Sequence, residues 1–187
     1  MPDALDLSHH LLIAMPALAD GNFRQTVTYL CEHNEQGALG LIVNRPLDLT
    51  LGDLLHQIGL EPANAAIAAQ PVYAGGPVQD NAVLILHRPL GRWDSTLAVT
   101  GDIGLTGSMD LLATIARGSG PGDYLVCLGY AGWGAGQLEQ ELADNAWLTA
   151  SAQSDLLFEL PVAERWRAAA ASIGVDLALL ASRAGHA

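Results

Sequence analysis

Leu128-Gly129-Tyr130-Ala131-Gly132-Trp133-Gly134-Ala135-Gly136-Gln137-Leu138-Glu139-Gln140-Glu141-Leu142 is the stretch on which the reading of this chain turns. A strand-like run, Tyr124 to Leu128, leads into it, and a helical pattern with Leu138 and Leu142 four residues apart leads out. Glycine is used where backbone must take positive φ or come close to another group. The crossover is thus a packing hub or a binding loop. Free N–H groups at a helix N-terminus attract phosphate. However, the Gly132-x-Gly134-x-Gly136 spacing is not the dinucleotide fingerprint, and no Lys-Ser/Thr pair follows. Glu139 and Glu141 in the first helical turns complement the positive dipole end and repel an anion. The stretch is therefore read as a tight packing turn. Trp133 is either a plug for the core or an exposed anchor for a partner.

Outward from this point, hairpins outnumber crossover units, which predicts an α+β fold. Residues 1–8 read as a short tail and residues 9–15 as the first strand. Arg24 to Glu32 and Ala38 to Asn44 form a hairpin pair around a turn at residues 33–37, and Arg45-Pro46 stops the second arm. Thr50 and Asp53 resemble a capping box for a helix that Gly59 closes. Val72 to Ala74, Ala82 to His87 and Ser95 to Thr100 read as strands, and Ser108 caps a helix from Met109 to Arg117. After the glycine stretch come a helix to about Asp144, an extended Trp147 to Ala150, an ambiguous Asp155 to Phe158, a helix opened by Pro161, and a turn or two at Asp176 to Leu180.

With 187 residues and half of them hydrophobic, the chain is read as one domain able to bury a full core without disulfide or metal staples. No segment has the long apolar run of a spanning helix, so a soluble protein without membrane contact is expected. The apolar run at Leu11 to Met15 follows a leader with Asp3 and Asp6 and no cation, unlike a secretory signal, and reads as a buried strand. Two cysteines without close spacing fit a reducing compartment, and the default localisation is cytoplasmic. The net charge is −12, with eight arginines and no lysine. Phosphate contacts carry most nucleic-acid affinity, so direct DNA binding is not expected. The missing lysine also removes Schiff-base chemistry and the P-loop lysine.

Cys31 and His33 are two apart on a strand and share a face if the strand is regular, which makes a thiol–imidazole pair conceivable beside the plainer reading of a buried cysteine and a strand-end histidine. No serine lies in a nucleophile elbow, and no His-Glu-x-x-His or CxxC motif is present. No metal, cofactor or catalytic residue is therefore assigned. Asn44-Arg45-Pro46 offers a guanidinium fork for a carboxylate, and Gly75-Gly76-Pro77 offers open amides. If these loops lie near Trp133 they make a cleft. The candidate partner or ligand surface is Asn44, Arg45, Gly75, Gly76, Gly132, Trp133, Gly134, Gly136 and Gln137.

Segments along the whole chain carry a family resemblance. They are His9 to Pro16, Thr26-Val27 with Cys31 to Asn34, Gly37-Ala38 through Pro46, Gly75 to Val78, Leu86-His87, the glycine stretch itself, Asn145 to Leu148 and Gly185-His186-Ala187. Together they resemble the AlgH/YqgE family of bacterial proteins. The resemblance implies a single compact α+β domain over residues 1–187, with a bent mixed sheet folded into a pseudo-barrel and helices outside. It implies a cytosolic protein described as a transcriptional regulator and brings no catalytic mechanism. The leading expectation is a non-enzymatic regulatory or adaptor module that contacts a protein with a basic surface. The alternative is a nucleotide- or metabolite-binding protein, or an enzyme, with a cleft at the glycine loop. The sequence does not give the oligomeric state.

Overall fold

The computed structural model describes residues 5–184. In chain order the elements begin with β1 (His10–Ala14), β2 (Val27–Asn34), β3 (Gly37–Ile42), β4 (Pro46–Thr50), α1 (Leu51–Gln57) and α2 (Ala65–Ala68). They continue with β5 (Pro71–Ala74), β6 (Val78–Arg88), β7 (Thr96–Ala98), β8 (Gly104–Thr106), α3 (Met109–Ala116) and β9 (Asp123–Gly134). The C-terminal part holds α4 (Gln137–Ala143), β10 (Trp147–Ser151), α5 (Ser154–Phe158), a 3-10 turn at Val162–Glu164, α6 (Arg165–Ala171) and α7 (Leu177–Ala184). Contacts gather these into two compact units, residues 1–44 with 131–187, and residues 45–130. One junction falls in the β3–β4 connection and the other inside β9, so no linker composition marks either.

The first unit is an antiparallel sheet in the order β10-β1-β2-β3-β9, with β9 supplying its last residues. Leu12, Leu30, Ala38, Ala131, Trp133 and Trp147 pack with Leu138 of α4 and with Leu7. Burial of each large apolar side chain contributes about 1.5–3 kcal/mol. Helix α6 lies against β1, β2 and β10. Its Arg165 is buried, and the guanidinium donates to the carbonyls of Leu160 and Val43. A buried cation this close to carbonyl oxygens is held by charge-assisted hydrogen bonds.

In the second unit β9 runs antiparallel to β6 and parallel to β5. Strands β8 and β7 continue beyond β6, and β4 pairs with β5. Leu51, Leu54 and Leu55 of α1 and Leu111, Leu112 and Ile115 of α3 pack on Val72, Ile85 and Val126. The parallel β5–β9 pair makes the sheet mixed, as expected. The Thr50 box forms as read, with Asp53 N–H donating to Thr50 Oγ1 at 3.2 Å and Thr50 N–H to Asp53 Oδ2 at 3.1 Å.

Several expectations need correction. The glycine-rich stretch is largely strand, because β9 continues to Gly134, with Gly132 opposite Leu39 and Gly134 opposite Gly37. The close backbone approach falls on the facing strand, where a Cβ at Gly37 would stand 2.1 Å from Trp133 O. Pro46 opens β4 instead of ending β3, a first-strand position where its missing N–H costs nothing. Ser108 stands at the N-cap of α3 without capping it, since its hydroxyl donates to Asp110 Oδ1 at 2.6 Å. Residues 5–8 are not a loose tail, because Leu7 is only 3% exposed and belongs to the core. The motif at residues 185–187, with His186, lies outside the described residues. Among the described residues no helix is long and apolar enough to cross a membrane.

Candidate functional site

His33 organises the most developed surface feature. A register shift between Leu30 and Glu32 places an extra residue at Cys31, and His33 then pairs opposite Ala38. Cross-strand partners share a face, so His33 lies on the side of Leu30 and Ala38. The period-two rule that put Cys31 and His33 on one face fails at this bulge. The thiol–imidazole pair read from spacing is replaced by other partners. Cys31 Sγ lies 3.8 Å from Tyr29 O. His33 Nδ1 accepts Leu7 N–H at 3.1 Å, and Nε2 meets Glu139 Oε1 at 2.6 Å. Because a backbone N–H can only donate, the hydrogen bonds assign the ring proton to Nε2, which donates to the carboxylate. Both ring nitrogens are thus committed, and the ring holds no free lone pair for proton abstraction.

Glu139 is the third residue of α4, where Gly136 in the left-handed region forms the N-cap. Its carboxyl is held below the usual glutamate range, first by its own backbone N–H and then by His33. The imidazole is nearly enclosed while the carboxylate side chain is about half exposed (4% against 52%), so one partner faces the core and the other faces water. Around the pair, Leu5, Asp6, Asn34, Glu35 and Gly136 line a recess of about 470 Å³. Asp6 is also held low, chiefly by Ser8 N–H, which donates to Asp6 Oδ1 at 2.8 Å. A second recess of about 200 Å³ borders the same β2–β3 hairpin and is lined by Glu32, Asn34, Gln36, Gly37, Ala38, Leu39 and Trp133. Among the described residues neither lining contains an arginine, whereas together they hold Asp6, Glu32, Glu35 and Glu139.

The other candidates are engaged in folding. Trp133 is a core plug, 5% exposed, and its indole N–H donates to Glu141 Oε2 at 2.9 Å. The Trp147 indole donates to the same oxygen at 2.8 Å. Gln137 accepts Gly134 N–H at 3.0 Å and donates to Glu141 Oε1 at 3.1 Å. The Gly134 amide that a phosphate would seek is therefore used inside the unit. Glu141, unnoticed in the sequence beyond its effect on the helix dipole, is the acceptor that joins β9, α4 and β10. Asn44 brackets the entrance to β2, with Oδ1 accepting Val27 N–H and Nδ2 donating to Gln25 O, both at 2.9 Å.

In the second unit, Arg45 O accepts Ala74 N–H and Leu128 O accepts Gly75 N–H, both at 2.8 Å. The Gly75 amide is therefore not open. Gly76 O sits where a side chain at Gly129 would be, 2.4 Å from its Cβ position, and Gly129 has φ +74°. Backbone crowding accounts for that glycine. Asn44, Trp133 and Gln137 belong to the first unit and Arg45, Gly75 and Gly76 to the second. Among the described residues no three His, Cys, Asp or Glu side chains are placed to hold a metal ion.

These features define an α+β protein with a mixed, mainly antiparallel sheet. The solution structure of the AlgH protein from Pseudomonas aeruginosa has this fold, with TM-score 0.81 and 51% identity over 100% of this chain and 99% of that one. A crystal structure of a Corynebacterium diphtheriae protein shares the fold at TM-score 0.76 and 18% identity, covering 97% of this chain and 94% of that one. The AlgH-like family model matches residues 11–178, and the chain belongs to that family. Relatives include a UPF0301 protein of Thioalkalivibrio sulfidiphilus, 53% identical over 100% of both chains. Another, from Nitrosococcus oceani, is 51% identical over 96% of both.

Proposed function

We propose that this protein is a non-enzymatic binding module, of regulatory or adaptor type, whose hairpin face takes a basic segment of a partner protein. The observation that supports this most directly is the acid-lined recess at His33, walled by Asp6, Glu35 and Glu139, with no arginine among the described residues that line it. The net charge of −12 adds a field that attracts cationic partners and repels nucleic acid. The committed ring nitrogens of His33 weigh against acid–base catalysis there. The engaged Gly134 and Gly75 amides weigh against a glycine-loop phosphate cradle. The regulatory role implied by the family resemblance is kept, working through protein contact. The cytosol is taken as its compartment, consistent with two buried cysteines that form no disulfide.

The test is a titration of the isotope-labelled protein with an arginine-rich peptide, followed by amide shifts. Shifts should concentrate at residues 5–6, 33–36 and 136–139. Binding should weaken about tenfold or more between 50 and 200 mM salt, since exposed charges are screened over about 10 Å. An Asp6→Asn, Glu35→Gln, Glu139→Gln variant should bind at least about tenfold more weakly. Shifts spread evenly over the surface, or an unchanged affinity in the triple variant, would overturn the reading.

A further inference from the structure

The same imidazole that faces the recess also fastens the segment Leu5–Ser8. Its Nδ1 accepts Leu7 N–H at 3.1 Å, and the backbone N–H of His33 donates to Ser8 Oγ at 2.9 Å. The Leu7 side chain is buried in the cluster that contains Leu30, Ala38 and Leu138. A neutral imidazole has one ring nitrogen that accepts, and an imidazolium has none. Nδ1 can therefore hold Leu7 only while the ring is neutral. A second proton on the ring turns two donors toward each other at that contact.

We infer that His33 is a proton-operated latch on the Leu5–Ser8 segment: the neutral ring holds the Leu7 backbone in place, and the imidazolium lets it go. Carboxylates stand where they would meet the added charge. Glu139 of α4 already contacts Nε2 at 2.6 Å, and Asp6 on the segment and Glu35 at the hairpin share the recess. Among the described residues, His10 of β1 also lies at the segment, its Nδ1 3.0 Å from Ser8 O, and Glu32 precedes His33 on β2. Protonation therefore exchanges a neutral hydrogen bond at Nδ1 for an ion pair with Glu139 at Nε2. Burial of Leu7 opposes full release, so the first sign of opening is a loosened amide, not unfolding. Leu5 and Asp6 form part of the recess wall, so the latch also reshapes the proposed docking face. In that regulatory sense it rests on the function proposed above, but the latch itself is read without any peptide.

The experiment follows the ring nitrogens of His33 by ¹⁵N shifts and the exchange protection of the Leu7 amide across one pH series of the full chain. Protection of Leu7 should fall about fivefold to tenfold, the loss of one hydrogen bond, with its midpoint at the protonation of His33. The Val43 amide, bonded to Val27 O at 2.9 Å, serves as the control that keeps its protection. In Glu139→Gln the protonation of His33 should move to lower pH, and the loss of Leu7 protection should move with it. Three results would each overturn the latch. They are flat Leu7 protection while His33 titrates, a Leu7 midpoint that ignores Glu139→Gln, and a His33 ring that stays neutral until the fold is lost.

Discussion

His33 in the first unit and His87 in the second are both buried and both hydrogen-bonded at each ring nitrogen, yet their partners make them opposites. His87 Nδ1 lies 3.0 Å from Pro89 O, which can only accept, so Nδ1 carries the proton. Nε2 then accepts from the Thr106 hydroxyl at 2.7 Å, and Thr106 Oγ1 in turn accepts from Thr96 at 2.8 Å. The tautomer is the reverse of that at His33. No carboxylate joins this network, and burial pushes the His87 pKa below the ordinary value, against a smaller opposing effect of the Pro89 carbonyl. The same side chain thus sits in one place where an added proton meets a carboxylate and in another where it meets only hydroxyls and a carbonyl. At His87 burial penalises the charge and no carboxylate stands by to offset it, whereas at His33 one does.

The largest expected effect breaks this comparison on the closed side. His87→Ala opens a cavity and leaves the Thr106 hydroxyl without its acceptor, so denaturant unfolding should show a loss of about 3 kcal/mol. Gly104→Ala comes next. Its Cβ would stand 2.8 Å from both His87 Cε1 and Leu90 Cδ1, and overpacking of this kind costs about 1–3 kcal/mol. A neutral result there would mean a looser cage around His87. His33→Ala should cost less, about 1–2 kcal/mol, because part of its network already faces water. If it matches His87→Ala, the contrast between the two rings fails.

The pH dependence sharpens the same contrast. A histidine with a lowered folded pKa binds its proton more readily in the unfolded chain. As pH falls below 6.5, the ordinary histidine value, His87 should therefore draw stability down, and the loss should flatten once pH passes below the folded value. His87→Gln should reduce this slope in unfolding measured from pH 7 to 5. Some slope should persist from His9, which is also lowered, first by burial and then by His10. Glu139 has the carboxylate sign: its contribution is present above 4.5 and is lost as pH falls through its depressed folded value. The smallest effect is Glu139→Gln at pH 7, within about 0.5 kcal/mol for a carboxylate this exposed. A larger loss in equilibrium unfolding would mean that the pair at His33 is tighter than its half-open position implies.

How much of this was legible in the sequence depended on range. Thr50 and Asp53 were readable because both halves of a capping box lie within one turn. The β2–β3 hairpin was readable from its β-branched runs and the turn between them. β8 was not, because the three residues Gly104–Thr106 carry no measurable period. Gly132 and Gly134 read as loop because their partners, Leu39 and Gly37, lie nearly a hundred positions away along the chain. The candidate site suffered from the same blindness. His33 was noticed, but its partner Glu139 is 106 residues distant, and the bulge at Cys31 that re-aims His33 has no local signature. The Trp133 alternatives could be separated only once Glu141 and Trp147 were seen to converge on its ring.

That convergence gives the first unit an optical identity. Trp133 and Trp147 stand with ring centroids 6.2 Å apart at 79° to one another, while Trp93 belongs to the second unit. Two indoles so close and so nearly perpendicular couple their electronic transitions, and an isolated indole has no neighbour with which to do so. The circular dichroism of the tryptophan bands therefore contains a built-in signal for one half of the molecule, which disappears when β9, α4 and β10 separate, whatever happens elsewhere in the chain.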